Sequence, residues 1–161
     1  MIREITTEAE LRESVAIMAE CFAPLIAQMK LTPETYPWLA DVFKYETFKS
    51  VSDFLGERLF ALTEEDRKIG FVSVGKTRDG VCSFGKLALL PRHVKETHAK
   101  ELLDIAEQTA RGEGAVKMRV GFIDENVTLK EFYLAHGFQV TDIKTFEVLP
   151  FSICVMEKDL E

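Results

Sequence analysis

Hydrophobic positions change their spacing several times along this chain, and each change marks a different element. Ile2 to Ile5 predicts a short strand. Thr7 with Glu10 three residues on is a capping-box pattern. Leu11, Val15, Met18 and Phe22 then recur at helical spacing, so a first helix is predicted to about Phe22. Pro24, Pro33 and Pro37 interrupt the next stretch. Thr32-Pro33 has the form of a cap with its first helical residue, and one or two short helices are predicted between Pro33 and Gly56.

Past Gly56 the period falls to that of strands. Residues 57–64, 68–76 and 81–90 predict three of them. Charged residues separate the first two, and Asp79-Gly80 marks a tight turn between the last two, so the three form an antiparallel meander. Helical spacing returns with Ala99, Leu102, Leu103, Ala106 and Ala110, ended by Gly112 and Gly114. A strand at 115–123, a helix at 126–137 and strands at 138–149 and 152–160 complete the order. The strand–helix–strand unit at 81–123 requires a right-handed crossover and one parallel pair inside an otherwise antiparallel sheet. The prediction is one mixed α/β domain over residues 1–161.

Composition narrows the function classes. The 161 residues are 47% hydrophobic and 29% charged, the range of ordinary globular proteins. The net charge of −7 gives no general attraction to nucleic acid or anionic lipid, so neither is an expected partner. Cys21, Cys82 and Cys154 are odd in number, widely spaced and set in apolar runs, which reads as buried thiols in a reducing compartment. With three histidines and no paired spacing, no metal site is predicted. The first fourteen residues are too charged for a secretory signal and no apolar run reaches a membrane span, so a cytoplasmic protein is expected.

Three stretches carry a resemblance. "GKLALLPRH" (85–93), "VGFIDENVTLKEFYLAHGF" (120–138) and "FEVLPFSICVMEKDL" (146–160) resemble the fourth strand, the fifth strand with its helix, and the last two strands of the GNAT acetyltransferase superfamily. The most specific part is Asn126 followed by Phe132-Tyr133 and then Gly137-Phe138. The resemblance spans roughly residues 58–160. It implies a GNAT-like, mainly antiparallel sheet of six or seven strands with helices on both faces and strands four and five splayed. It implies acetyl transfer from acetyl-CoA, as cosubstrate, to a primary amine of a small molecule or peptide, by a monomer or homodimer.

The resemblance also implies a site. The backbone of Leu87, Ala88 and Leu89 would pair with the pantetheine arm, and one of its amides would stabilise the oxyanion. The pyrophosphate would lie at a helix amino terminus starting near Thr97, within the loop Val94, Lys95, Glu96, Thr97, His98 and Ala99. The family pattern there is Gln/Arg-x-x-Gly-x-Gly/Ala. Ala99 matches it, whereas Val94 replaces a polar residue and Thr97 replaces the central glycine. From Lys86 to Lys100 four basic residues face one acid, Glu96. Tyr133 either donates a proton to the departing thiolate or packs a helix against the core. Asn126 either bonds the pantetheine arm or caps the following helix. The fourth strand offers no carboxylate as base, Gly85 standing near the family position, so Glu46, Asp53 and Glu147 stay open. Phe22, Met29, Tyr36, Trp38 and Phe43 are candidate walls of a partly apolar acceptor pocket. Two alternatives stand beside the enzyme: a non-catalytic GNAT-like module binding CoA or another anion weakly, and a scaffold joined through residues 149–156.

Overall fold

Alternating side chains along the central strands divide the molecule into two layers. Strand β2 (Arg58–Glu64) sends Leu59 and Ala61 to one side and Phe60 and Leu62 to the other. Strand β3 (Arg67–Val74) does the same with Phe71 against Val72 and Val74. In this computed structural model, which describes residues 1–160, they belong to a seven-stranded sheet. The other strands are β1 (Ile2–Ile5), β4 (Val81–Leu89), β5 (Lys117–Ile123), β6 (Gln139–Thr145) and β7 (Ser152–Asp159). Their spatial order is β1-β2-β3-β4-β5-β7-β6. Only β4 and β5 pair parallel, as the crossover rule requires. On one face, α1 (Glu8–Gln28) and α3 (Tyr45–Leu55) place Val15, Met18 and Phe48 over Phe71. On the other, α4 (Glu96–Gly112) and α5 (Val127–Ala135) place Leu102, Ala106 and Tyr133 over Val72, Val120 and Met156. Each such large side chain contributes about 1.5–3 kcal/mol by leaving water.

The hairpin turn at Asp79-Gly80 forms as predicted. Both residues have positive φ (52° and 79°), and Arg78 and Val81 exchange two 2.9 Å backbone bonds. The first helix departs from expectation: α1 continues through Pro24 to Gln28. Proline removes the amide that would bond the Glu20 carbonyl. Both residues are exposed, so water replaces that bond, while Leu25 and Ile26 stay half-buried and hold the next turn in place. Only half of the capping box forms. Thr7 accepts from the Glu10 amide at 3.3 Å, but the Glu10 carboxylate turns to Arg3 and Lys68. Thr32-Pro33 closes a single turn, with Tyr36 N–H bonded to the Thr32 carbonyl at 2.8 Å. Helices begin only at α2 (Leu39–Val42), a single turn, and α3.

The last strands are shorter than their hydrophobic runs. β6 stops at Thr145 because Phe146–Leu149 form the turn that reverses the chain. β7 then inserts between β5 and β6, so strands adjacent in sequence are separated in space.

Candidate active site

Strands β4 and β5 run side by side for only four residue pairs, Val81–Phe84 against Lys117–Val120. Beyond that point they splay. β4 continues against β3, and β5 continues against β7 to the Ile123–Ile153 pair. The cause is a bulge. Phe71 faces Ala88 and Ser73 faces Gly85, so two β4 residues, Lys86 and Leu87, stand opposite Val72. Lys86 takes φ = 53°, a left-handed conformation that costs a non-glycine residue about 1–2 kcal/mol. Bulges bend and twist the strand that contains them. This one turns the Leu87–Leu89 edge away from β5, leaving two strand edges with unpaired backbone groups facing one gap.

The gap opens into a cleft of 440 Å³. Leu87, Ala88, Leu89, Val94, Lys95, Glu96, Ala99 and Asn126 line it, together with Thr128, Leu129, Glu131, Phe132 and Ala135. The amino end of α4 closes one side. Its N-cap is Lys95, and no side chain caps the helix. The first-turn amides of Glu96, Thr97 and His98 therefore have no side-chain partner, in a region where the helix dipole favours an anion.

Thr97 and His98 lie outside the lining. Thr97 is exposed and does not have positive φ, so glycine's conformational freedom is not required there. His98 is buried and points away. Its Nδ1 lies 3.0 Å from the His93 carbonyl and its Nε2 3.4 Å from Glu64. His93 Nδ1 lies 3.8 Å from the same carboxylate. These contacts tie the short turn at Pro91–His93 and the start of α4 to the end of β2.

Tyr133, on α5, is 1% exposed and packs among Phe84, Phe122, Phe132 and Phe138. Burial pushes its phenol far above the usual value, so it stays protonated. Ser73 Oγ is the one buried side-chain polar atom without a hydrogen bond among the described residues. Among the described residues the Tyr133 hydroxyl has no hydrogen-bond partner, and Tyr133 is not one of the residues that line the cleft. Asn126 caps α5, its Oδ1 accepting from the Leu129 amide at 3.2 Å. Among the described residues its side-chain NH2 has no partner, and it remains a donor at the cleft wall.

A second pocket of 270 Å³ lies on the opposite face of the sheet. It meets the splay at Lys86 on β4 and Ile123 on β5. Phe22, Trp38 and Phe43 line it, whereas Met29 and Tyr36 do not. Lys86 Nζ bonds Glu57 Oε1 at 2.7 Å and lies 4.8 Å from the Phe48 ring centre. The Glu57 side chain is only 9% exposed. Glu46, Asp53 and Glu147 line neither space, and Asp53 is held by Lys49 on the surface of α3. Glu57 carried no sequence signal. It precedes an apolar run and looks like a solvated charge until the bulge brings Lys86 to it.

The family model described as the acetyltransferase (GNAT) family matches residues 24–138. The chain belongs to the GNAT acetyltransferase family. A search of the curated proteins returns no match. Among solved structures, the GNAT chain is similar to a PaiA N-acetyltransferase of Thermoplasma acidophilum in complex with coenzyme A. The TM-score is 0.78 at 19% identity over 99% of both chains. It is also similar to the ribosomal-protein-S18-alanine N-acetyltransferase of Escherichia coli, with TM-score 0.74 at 14% identity over 99% of this chain and 92% of that one. A putative GNAT acetyltransferase of Desulfovibrio desulfuricans matches with TM-score 0.75 at 17% identity over 99% and 98%. At these identities the likeness establishes the fold. The bulge, the splay and the flanking helices are therefore the frame within which this GNAT chain's own residues act. Among the described residues no helix is long and apolar enough to cross a membrane.

Proposed function

We propose that the whole chain is one catalytic domain, an N-acetyltransferase that moves an acetyl group from acetyl-CoA to a primary amine. The observation that carries this is the pair of unpaired strand edges opening onto a cleft that ends at an uncapped helix terminus. An extended amide-containing arm satisfies such an edge as an added strand does. In this reading Leu87, Ala88 and Leu89 pair with the pantetheine arm, and one of their amides stabilises the developing oxyanion. The Asn126 NH2 donates to the arm. The amides of Glu96, Thr97 and His98 hold the pyrophosphate, with Lys95 adding charge, Val94 an apolar wall and Ala99 room for close approach. Glu96 opposes the phosphate charge.

The amine nitrogen attacks the thioester carbonyl carbon. The C–N bond forms, the C–S bond breaks, and the leaving sulfur takes its proton from Tyr133. The proton lost by the amine returns through solvent to the tyrosinate. Transfer is direct in this reading, since none of Cys21, Cys82 and Cys154 lines the cleft and burial raises each thiol, Cys21 to about 12. Three free cysteines support a cytoplasmic setting, and the negative net charge supports neither nucleic acid nor membrane as partner, the protein acting as a monomer or homodimer.

Thermal unfolding with acetyl-CoA tests the reading. Ligand at about 100 times its Kd adds about 2.7 kcal/mol. For a chain of this size that raises Tm by roughly 5–10 °C. An unchanged Tm at millimolar acetyl-CoA overturns it. A rise in Tm with no acetyl transfer to any amine leaves a binding module instead.

A further inference from the structure

The 270 Å³ pocket beyond the splay differs from the cofactor cleft in one respect: its wall contains a single charged residue. That residue, Lys86, is already satisfied. Its ammonium is bonded to Glu57 and lies over the Phe48 ring. Phe22 and Phe43 stack at 5.7 Å on one wall, and Trp38 meets Phe151 edge-on at 6.3 Å on another. Among the described residues no carboxylate lines the space. Its 270 Å³ lies just below the usual range of ligand cavities, about 300–1,000 Å³, enough for a small body but not a folded partner.

From this lining we infer that the acceptor is a small monoamine with an aromatic or branched aliphatic body, seated in the pocket with its amine directed to the splay. The inference rests on the transferase reading above and gives that reading its substrate class. The chemistry of exclusion is as informative as the fit. A polyamine or a lysine-rich peptide would carry a further ammonium into a wall with no free anion, and a buried unpaired charge is strongly disfavoured. An amino acid would bring a carboxylate to a lysine whose charge Glu57 already neutralises. An apolar body gains by filling the space, each methylene being worth roughly 10-fold or more in kcat/KM.

The test uses the full chain and two independent readouts. The first is thiol release from acetyl-CoA with 2-phenylethylamine, isoamylamine, ethylamine, spermidine and an alanine-terminated peptide. The expected order puts 2-phenylethylamine and isoamylamine roughly 1,000-fold or more above ethylamine in kcat/KM, with spermidine and the peptide lowest. The second readout is the fluorescence of Trp38, the only tryptophan in the chain. 2-Phenylethylamine should change it saturably and spermidine should not, whether or not turnover occurs. Val42 lines the pocket and is 40% exposed, so Val42→Glu adds a carboxylate at a position that tolerates one. It should lower 2-phenylethylamine turnover and raise spermidine turnover, each by roughly 10-fold. Spermidine or the peptide as the best acceptor overturns the inference and leaves the transferase standing. A saturable Trp38 response to 2-phenylethylamine without turnover of any amine overturns the transferase reading, and with it the assignment of an acceptor. No Trp38 response to 2-phenylethylamine overturns the inference.

Discussion

Replacing Tyr133 by phenylalanine separates its two roles because only the hydroxyl changes. The ring keeps its contacts with Phe84, Phe122, Phe132 and Phe138. Among the described residues the hydroxyl has no hydrogen-bond partner to lose. Holding such a group largely out of water commonly costs about 1–3 kcal/mol. Tyr133→Phe should therefore unfold in urea with a stability between unchanged and about 1 kcal/mol above the parent. Tyr133→Ala, by contrast, opens a cavity and should cost about 3–5 kcal/mol. Activity should move the other way. A positioned general acid contributes about 10²- to 10⁴-fold, or roughly 3–5.5 kcal/mol of barrier. Thiol release should show that fall in kcat for Tyr133→Phe, with KM for acetyl-CoA within about threefold. Because burial raises the phenol's pKa, the parent's kcat should show no descending limb from Tyr133 below about pH 10. Parental turnover in a Tyr133→Phe protein that has lost more than about 1.5 kcal/mol of stability would make Tyr133 a core residue and refute the reasoning.

Three further outcomes rest on other contacts in the fold. Lys86→Met or Glu57→Gln should each destabilise by about 2–4 kcal/mol, since each strands a poorly exposed partner, and the double variant should recover about half; additive effects in urea unfolding would show the pair to be uncoupled. Gly70→Ala should destabilise by about 1–3 kcal/mol, because its Cβ would stand 2.5 Å from Leu89 Cδ2, whereas Gly85→Ala meets nothing within 4 Å and should be neutral or slightly stabilising; equal melting temperatures for the two would contradict this. The Arg3 guanidinium, with Lys68, holds the Glu10 carboxyl down at about 2, so its stabilising contribution is present above the ordinary carboxylate range and is lost as pH falls from about 4.5 toward 2. Glu10→Gln should flatten the acid side of a Tm–pH curve, and an unchanged acid slope would count against the contact.

Much of the fold was legible because it rests on local rules. Period-2 and period-3.6 spacing placed the strands and the long helices. Asp79-Gly80 specified its own turn, and the crossover rule forced the single parallel pair at β4 and β5. Family likeness then pointed to eight of the residues that line the cleft, and α4 begins within a residue of the predicted start. The boundaries that failed were those where solvent or packing outweighs a local preference. Pro24 is tolerated because its lost bond faces water, and β6 is cut short by the turn into β7.

What the chain by itself determined is therefore the inventory of elements, the sense of their connections and the loop that begins α4. Only the tertiary structure decided three things. Lys86 takes a left-handed backbone that spacing does not reveal, and this opens the splay. Glu57, just before β2, finds Lys86 on β4 across 29 residues, where the bulge brings it. Residues from α1, α2, β5 and the β6–β7 turn converge on one apolar pocket. The physical reason is common to all three. Periodicity reports which face of an element is buried, whereas a site depends on which distant faces are brought together, and that is settled by the packing of the whole sheet.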